Sequence, residues 1–229
     1  MPARSTFSGR REVAIGLGVY ALYLAARQVK LRRGGRERAA RNGERIIALE
    51  RRPGIDVEPA LQRLLLPRAR LVAVLNVAYV TLNVGLTVGW LVRLYRRRDP
   101  RFHELRRAAV LTTLGAQPVF LLFPVAPPRS LEGFVDTIRE VSGLDLDRGL
   151  VAEVYDPIAA FPSIHVAYAV VTAAGIARTT ATPRLRTGVP AYPPLVALTV
   201  FATANHYVVD ALAGAVLGAV ALRLARGGS

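Results

Sequence analysis

The sequence predicts an all-α, polytopic membrane protein with about six transmembrane helices and a pair of interfacial amphipathic helices. Three observations lead to this fold class. The chain of 229 residues is 52% hydrophobic with a mean hydropathy of +0.31, yet its formal net charge is +15. Its apolar segments alternate with basic loops, which is typical of membrane proteins. The segments lack a period-two pattern, so helices are favoured over strands.

Six apolar segments are the candidate spans. A bilayer requires roughly 20 apolar residues per helix, and the second segment is clearly long enough. The first is shorter, and we interpret it as an uncleaved span because helix-forming residues follow it directly. In chain order the segments are Val13–Val29, Leu71–Leu94, Ala108–Pro124, Ile158–Ala177, Val189–Asn205 and Tyr207–Leu224.

The stretch between the first two spans, Ile46–Leu66, has a different pattern. Its apolar residues interleave with acidic and basic ones, and Pro53-Gly54 interrupts the middle. This pattern predicts two short amphipathic helices at the membrane interface. A solvated helical hairpin is the alternative. The sequence therefore predicts two parts: an N-terminal span with a basic interfacial segment, residues 1–70, and a helical bundle, residues 71–229.

Loop charges predict the orientation in the plasma membrane. The loops after the second and fourth spans are rich in arginine, whereas Val125–Ser163 has few basic residues. The positive-inside rule places the basic loops in the cytoplasm and Val125–Ser163 outside. The connection Arg27–Arg41 conflicts with this scheme, because it carries seven basic residues and would lie outside. Basic loops that flank spans favour anionic lipid head groups over nucleic acid as partners.

Two histidines fall in apolar segments. His165 lies near the outer start of the fourth span and His206 near the outer end of the fifth, so antiparallel helices would bring them to a similar depth. An imidazole in hydrocarbon requires a partner or a polar cavity. Asp210 follows His206 by four residues, and on a helix its carboxylate would share that face and fix the imidazole tautomer. An oriented base or nucleophile of this kind is what covalent catalysis requires.

The segment FPVAPPRS, Phe123–Ser130, ends the third span at the same outer level. Its prolines terminate the helix and stiffen the exit. Arg129 follows, and its guanidinium fork is suited to a phosphate group. A head-group anchor at the interface is the alternative role for this residue. The chain has no cysteine, which excludes disulfides and thiolate chemistry.

These motifs resemble the type 2 phosphatidic acid phosphatase superfamily, whose signature pairs P-S-x-H with a later H-x-x-x-D. The matching segments are F-P-S-I-H and N-H-Y-V-V-D. The superfamily's first motif, a lysine followed seven residues later by Arg-Pro, is absent, and Thr199 and Val200 replace an expected Ser-Arg pair. Other segments are similar to the bacterial branch related to inositol phosphorylceramide synthases. They are E-R-R-P-G-I-D-V-E-P-A-L-Q (Glu50–Gln62), P-V-A-P-P-R and G-F-V-D-T (Gly133–Thr137).

The resemblance implies an integral membrane lipid phosphatase or phosphotransferase that acts on a lipid phosphate, diphosphate or phospholipid head group at the extracytoplasmic face. It implies that His206, held by Asp210, attacks phosphorus to give a phosphohistidine, and that His165 serves as acid and then base. Substrate-binding roles are implied for the remaining candidates, which are Arg129, Ser163 and Asn205. Neither a metal nor another cofactor is expected, because arginine and amide donors supply the positive potential.

Three alternatives remain open at this point. Hydrolysis and inositolphosphotransferase-like transfer differ only in whether water or an alcohol accepts the group from His206. A proton-coupled transporter would use His165, His206 and Asp210 as a relay. A histidine–carboxylate metal site would use the same residues.

Overall fold

The computed structural model describes residues 7–32, 34–146 and 155–227, and residues 147–154 of the predicted outer loop lie outside these ranges. The described ranges are helical, with one isolated bridge between Val125 and Ala159. The α-helices are α1 (Gly9–Arg32), α2 (Gly35–Arg51), α3 (Glu58–Leu65), α4 (Ala69–Val77), α5 (Asn83–Arg96), α6 (Phe102–Leu122), α7 (Thr137–Glu140), α8 (Ile164–Thr179), α9 (Pro183–Gly188), α10 (Tyr192–Ala202) and α11 (Val208–Arg226). A π-helical turn, Ala78–Leu82, joins α4 to α5.

Helix α8 is the centre of the bundle. It packs against α5, α6, α10 and α11, and α6 also contacts α1 and α11. The interior of α8 consists largely of small and β-branched residues, which allow neighbouring helices to approach closely. Within this core the hydroxyl groups of Thr87 and Thr172 are hydrogen-bonded at 2.8 Å.

Two glycines allow α11 to contact the backbone of α8. A Cβ atom on Gly214 would lie 2.2 Å from the carbonyl oxygen of Ser163, and one on Gly218 would lie 2.6 Å from that of Ala167. Residues four apart share one face of a helix. This small-xxx-small spacing therefore places the start of α8, which carries His165, directly against the start of α11.

The stretch Ile46–Leu66 forms the end of α2, a turn and α3, as the sequence predicts for a helix pair. Gly54 in the turn has a φ of +70°, a conformation that favours glycine. The polar and charged residues of this stretch do not all face outward. Glu50, Glu58 and Gln62 are buried against the bundle. The amphipathic pattern predicts the helices, but it does not show which of their polar residues face inward.

Each of the six apolar segments overlaps a helix, but the helices differ in length. Among the described residues, α11 is the one helix that is long and apolar enough by itself to cross a membrane. The segments Ala69–Thr81 and Val84–Arg96 qualify together only as one span bent by 46°. Helix α8 is apolar but shorter. The fourth apolar segment becomes helical only at Ile164, because its first residues pair with the chain after α6.

Candidate active site

His165 and His206 meet at one end of the bundle, as their predicted depths require. His165 is the second residue of α8, and His206 lies two residues before α11. The Nε2 atom of His206 is 3.4 Å from the Nδ1 atom of His165, and the ring centroids are 5.5 Å apart. The two imidazoles are thus in direct contact.

The tautomer of His206 follows from its neighbours. Its Nδ1 lies 2.8 Å from the backbone carbonyl oxygen of Ala160 and 3.3 Å from Oδ2 of Asp210. Because a carbonyl oxygen can only accept, Nδ1 carries the proton and donates it. Nε2 therefore keeps its lone pair, which is directed toward His165. The predicted Asp210 contact is present, but the carbonyl of Ala160 is the closer acceptor.

Asp210 also connects the two helices of the site. It is fully buried, and its Oδ2 accepts a hydrogen bond from the backbone N–H of Tyr207 at 3.0 Å. The backbone carbonyl oxygen of Asp210 accepts a hydrogen bond from the N–H of Ser163 at 2.9 Å. Ser163 in turn is the N-cap of α8, since its hydroxyl oxygen accepts from the N–H of Val166. Ser163, which the sequence predicts to bind substrate, is thus a buried helix cap beside the histidines.

Arg129 lies on the same side of the site, but its guanidinium is already engaged. Nε donates to Oδ1 of Asn205 at 2.9 Å, Nη1 to Oδ2 of Asp136 at 2.5 Å, and Nη2 to the hydroxyl of Tyr155 at 3.0 Å. Asn205 uses its amide to donate to Thr203. Arg129 and Asn205, both predicted to bind substrate, therefore belong to one hydrogen-bonded network. Asn205 also lines a cavity at the site.

Two tyrosines that the sequence analysis did not identify also belong to the site. Tyr79 lies in the π-helical turn between α4 and α5, a feature often found at functional sites. Its ring stacks on His165 with the centroids 4.3 Å apart and an interplanar angle of 26°. Tyr155 contacts Arg129 through its hydroxyl and its ring. Neither Tyr79, in an apolar segment, nor Tyr155, in the predicted outer loop, belongs to a motif that would predict such a role.

The end of α1 accounts for two of the seven basic residues in the connection that conflicted with the loop charges. Arg27 and Lys30 are buried. Nε of Arg27 donates to the carbonyl oxygen of Tyr155 at 2.7 Å, and Nζ of Lys30 forms an ion pair with Asp156 at 2.5 Å. Lys30 neutralises Asp156 and Arg27 binds the adjacent backbone, both in the segment that precedes α8. These two charges therefore do not indicate on which side of the membrane the connection lies.

A cavity of about 770 Å³ leads to the histidines. Its inner end is polar and includes Tyr79, Tyr155, Asn205 and both imidazoles. The rest lies between α1, α5 and α6 and is lined mainly by aliphatic and aromatic side chains. The lining on α1 extends from Gly9 to Tyr23, which corresponds to about 20 Å at the helical rise of about 1.5 Å per residue. The site therefore combines a polar end at the histidines with a long, mainly apolar stretch, which also carries the ion pair of Glu12 and Arg106.

Comparison with known protein families gives one decisive match. The family model of the PAP2 superfamily matches residues 44–224, which is most of the chain. The chain belongs to the PAP2 superfamily. PAP2 membership indicates phosphatase or phosphotransferase activity toward lipid phosphates, and PAP2 proteins are usually associated with membranes. Searches of curated proteins and of solved structures returned no match.

The PAP2 match begins after α1, so the buried cations Arg27 and Lys30 lie outside it. Within the match, the described residues contain no group of three histidine, aspartate or glutamate side chains arranged to hold a metal ion. The polar groups of this PAP2 site include the histidine pair, the Asp210 carboxylate and the network around Arg129.

Proposed function

We propose that the chain is a multi-pass membrane enzyme that cleaves a lipid phosphate or diphosphate through a phosphohistidine on His206. One observation carries the proposal: Nδ1 of His206 donates to the Ala160 carbonyl, so Nε2 presents its lone pair toward His165 at the polar end of an apolar cavity. A nucleophile held in one tautomer beside a second titratable group is the arrangement that covalent catalysis uses.

The proposed reaction has two steps. Nε2 of His206 attacks phosphorus, the bond from phosphorus to the lipid oxygen breaks, and His165, entering as the imidazolium, gives its proton to the leaving oxygen. Neutral His165 then takes a proton from water or an alcohol, whose oxygen attacks the phosphohistidine and releases His206. Protons and charges balance over the cycle, since His165 ends as it began.

The contact between the imidazoles sets a requirement for substrate binding. Nε2 of His206 and Nδ1 of His165 are 3.4 Å apart, which is a hydrogen-bonding distance. A phosphorus atom at Nε2 must occupy this space, so the rings have to separate. We propose that the phosphate replaces the ring contact and that His165 then faces the leaving oxygen.

Hydrogen-bond donors for the phosphoryl oxygens are proposed to come from the Arg129 guanidinium, from the N–H groups at the start of α8 beside Ser163, and from the Asn205 amide. Asp136 and Tyr155 hold the Arg129 guanidinium in place. The guanidinium is therefore preorganised to donate its remaining N–H groups to a phosphate. The N–H groups at the start of a helix favour an anion.

A position in the plasma membrane, with the site facing away from the cytoplasm, is proposed from the surface of the bundle as well as from the loop charges. Large apolar residues are exposed on the outer faces of several helices. Examples are Leu17 and Leu22 on α1, Val74 on α4, Leu86 on α5, Leu195 on α10, and Leu212 and Val216 on α11. Apolar faces of this extent are covered by lipid or protein, which supports a position in the membrane; the number of about six spans is proposed from the six apolar segments of the sequence.

Transfer to an alcohol is the second candidate activity. The segments that resemble the inositol phosphorylceramide synthase branch lie together at the site: Gln62 binds Val135, and the next residue, Asp136, binds Arg129. Their convergence supports a branch-specific function, and head-group transfer is what the resemblance implies.

The test is incubation of the purified protein with lipid phosphates and diphosphates, with and without inositol. Free phosphate indicates hydrolysis, and a new phosphodiester indicates transfer. His206→Ala is expected to lower turnover more than about a thousandfold and to abolish an acid-labile, base-stable phosphoprotein, without loss of membrane insertion. Full activity in His206→Ala would refute the proposal.

A further inference from the structure

Two buried glutamates hold the start of α11 from outside the helical bundle. Oε1 of Glu58, at the start of α3, accepts a hydrogen bond from the N–H of Val208 at 2.8 Å. Oε1 of Glu50, near the end of α2, accepts one from the N–H of Val209 at 2.6 Å. Each residue is only 1% exposed. A buried glutamate of this kind is rare unless it has a specific partner.

Together with Asp210, these glutamates bind three consecutive backbone amides. Asp210 accepts from Tyr207, Glu58 from Val208 and Glu50 from Val209. The first N–H groups of a helix have no partner within the helix, and negative charge is favourable there. One side-chain cap usually suffices. Three buried carboxyl groups on one helix start lose hydration and, when ionised, repel one another, so this arrangement exceeds what helix capping requires.

The turn that they hold carries His206. His206 immediately precedes Tyr207, and neither glutamate is among its hydrogen-bond partners. The ring can meet the Ala160 carbonyl and Asp210 together only while the start of α11 keeps its position. Helix α2 fixes the same turn at a second point, because Gly43 lies against the Tyr207 hydroxyl, which donates to the carbonyl oxygen of Ala126.

Helices α2 and α3, which carry the two glutamates, also contact the opposite side of the site. Gln62 on α3 donates to the carbonyl oxygen of Val135 at 2.8 Å and accepts from its N–H at 2.9 Å. The adjacent Asp136 holds Arg129, and Arg129 holds Asn205 next to His206. Helices α2 and α3 therefore contact both segments that flank the histidine pair.

We infer that Glu50 and Glu58 are positioning residues for His206, which fix the turn before α11 so that Nε2 of His206 points at the substrate. This inference rests on the proposed function. Neither residue is expected to touch substrate. The essential property is a hydrogen-bond acceptor at the right distance, so glutamine should replace glutamate, whereas aspartate, shorter by one methylene, should not.

The experiment compares Gln, Asp and Leu at positions 50 and 58, with Glu44→Leu as the control because Glu44 is exposed on the same helix α2. The Gln variants should keep kcat within about threefold of the wild type. The Asp and Leu variants should lose about tenfold to a hundredfold in kcat at nearly constant KM, the loss expected when a reacting group is displaced by about 1 Å. Equal losses in the Gln and Leu variants, or wild-type kcat in the Leu variants, would overturn the inference.

A readout that does not depend on turnover separates this inference from the proposed function. The chain has three histidines, so ¹⁵N NMR of histidine-labelled protein, assigned with His206→Ala, can follow the His206 tautomer. The wild type and the Gln variants should show a protonated Nδ1, and the Asp variants should lose this preference. An unchanged tautomer in the Asp variants would refute positioning, even if no lipid phosphate proves to be a substrate. The Asp variants keep the carboxyl group and serve where a Leu variant fails to fold.

Discussion

The backbone carbonyl of Ala160 is closer to Nδ1 of His206 than the Asp210 carboxylate is, at 2.8 Å against 3.3 Å. The carbonyl is fixed in turn, because the N–H of Ala160 donates to the carbonyl oxygen of Val125 at 3.0 Å. A fixed backbone acceptor is thus the closest partner of the Nδ1 proton, with the carboxylate as a second one.

Asp210→Asn should therefore be far less damaging than His206→Ala. The Asn oxygen can still accept from Tyr207, and Ala160 still accepts from His206, so we expect kcat to fall about tenfold to a hundredfold, as for loss of one buried hydrogen bond to a charged group. His206→Ala should lose more than about a thousandfold. Steady-state kinetics on one lipid phosphate checks both values. Equal losses would show that Asp210, not Ala160, determines the tautomer.

The ring of Tyr79 should matter more than its hydroxyl. Tyr79→Phe keeps the stack on His165, whereas Tyr79→Leu removes it, and an aromatic pair contributes about 0.5–1.5 kcal/mol beyond its buried area. We expect Tyr79→Leu to lower kcat about threefold to tenfold relative to Tyr79→Phe. Similar rates in the two variants would mean that stacking does not orient His165.

Gly214 should be intolerant of any side chain. In Gly214→Ala the new Cβ would lie 2.2 Å from the Ser163 carbonyl oxygen, so α8 and α11 must separate. Overpacking of this kind costs about 1–3 kcal/mol, and we expect a lower melting temperature together with reduced activity. Gly89→Ala on α5 is the matched control, since its Cβ meets nothing within 4 Å. Equal melting temperatures for the two variants would contradict the close approach.

The buried glutamates predict that stability falls as pH rises. Burial raises the pKa of Glu50 to about 7 and that of Glu58 to about 8, and the nearby Asp210 acts in the same direction. A raised folded-state pKa means that the folded protein binds more protons than the unfolded chain, whose glutamates titrate near 4.5. This stabilisation is complete below about pH 4.5 and is lost as pH rises through 7 to 8.

Thermal unfolding in detergent between pH 5 and pH 9 tests this prediction. The double variant Glu50→Gln/Glu58→Gln cannot titrate at these positions, so the difference in melting temperature between it and the wild type should change with pH in the direction just given. A constant difference across this range would show that the two carboxyl groups titrate normally.

Lys30 and Asp156 should behave as a coupled pair. Lys30→Met alone leaves a carboxylate buried without its partner, and removing one member of a buried pair costs about 3–5 kcal/mol. Lys30→Met/Asp156→Asn should recover most of that loss in a thermal unfolding assay. Additive losses in the double variant would mean that each residue has a separate role.

Much of the fold and part of the site could be predicted from the sequence. Apolar periodicity located the helices, and the spacing of His165 and His206 predicted that they meet. The Ala160 acceptor could not be predicted, because a backbone carbonyl has no residue identity. Glu50 and Glu58 were interpreted as part of an amphipathic surface, since periodicity gives the spacing of charges but not which of them point inward. The excess of charge at Arg27 and Lys30 was the one signal that α1 contributes cations near the site.

The apolar cavity beside α1 has a practical consequence for measuring activity. A channel about 20 Å long and about 770 Å³ in volume that ends at the histidines accepts any slender alkyl chain, not only that of a substrate. Solubilising agents with straight tails will therefore compete for it, and apparent KM values will increase with their concentration. Reconstitution into nanodiscs removes the detergent, so apparent KM values measured there should depend on the lipid mixture and no longer on detergent concentration.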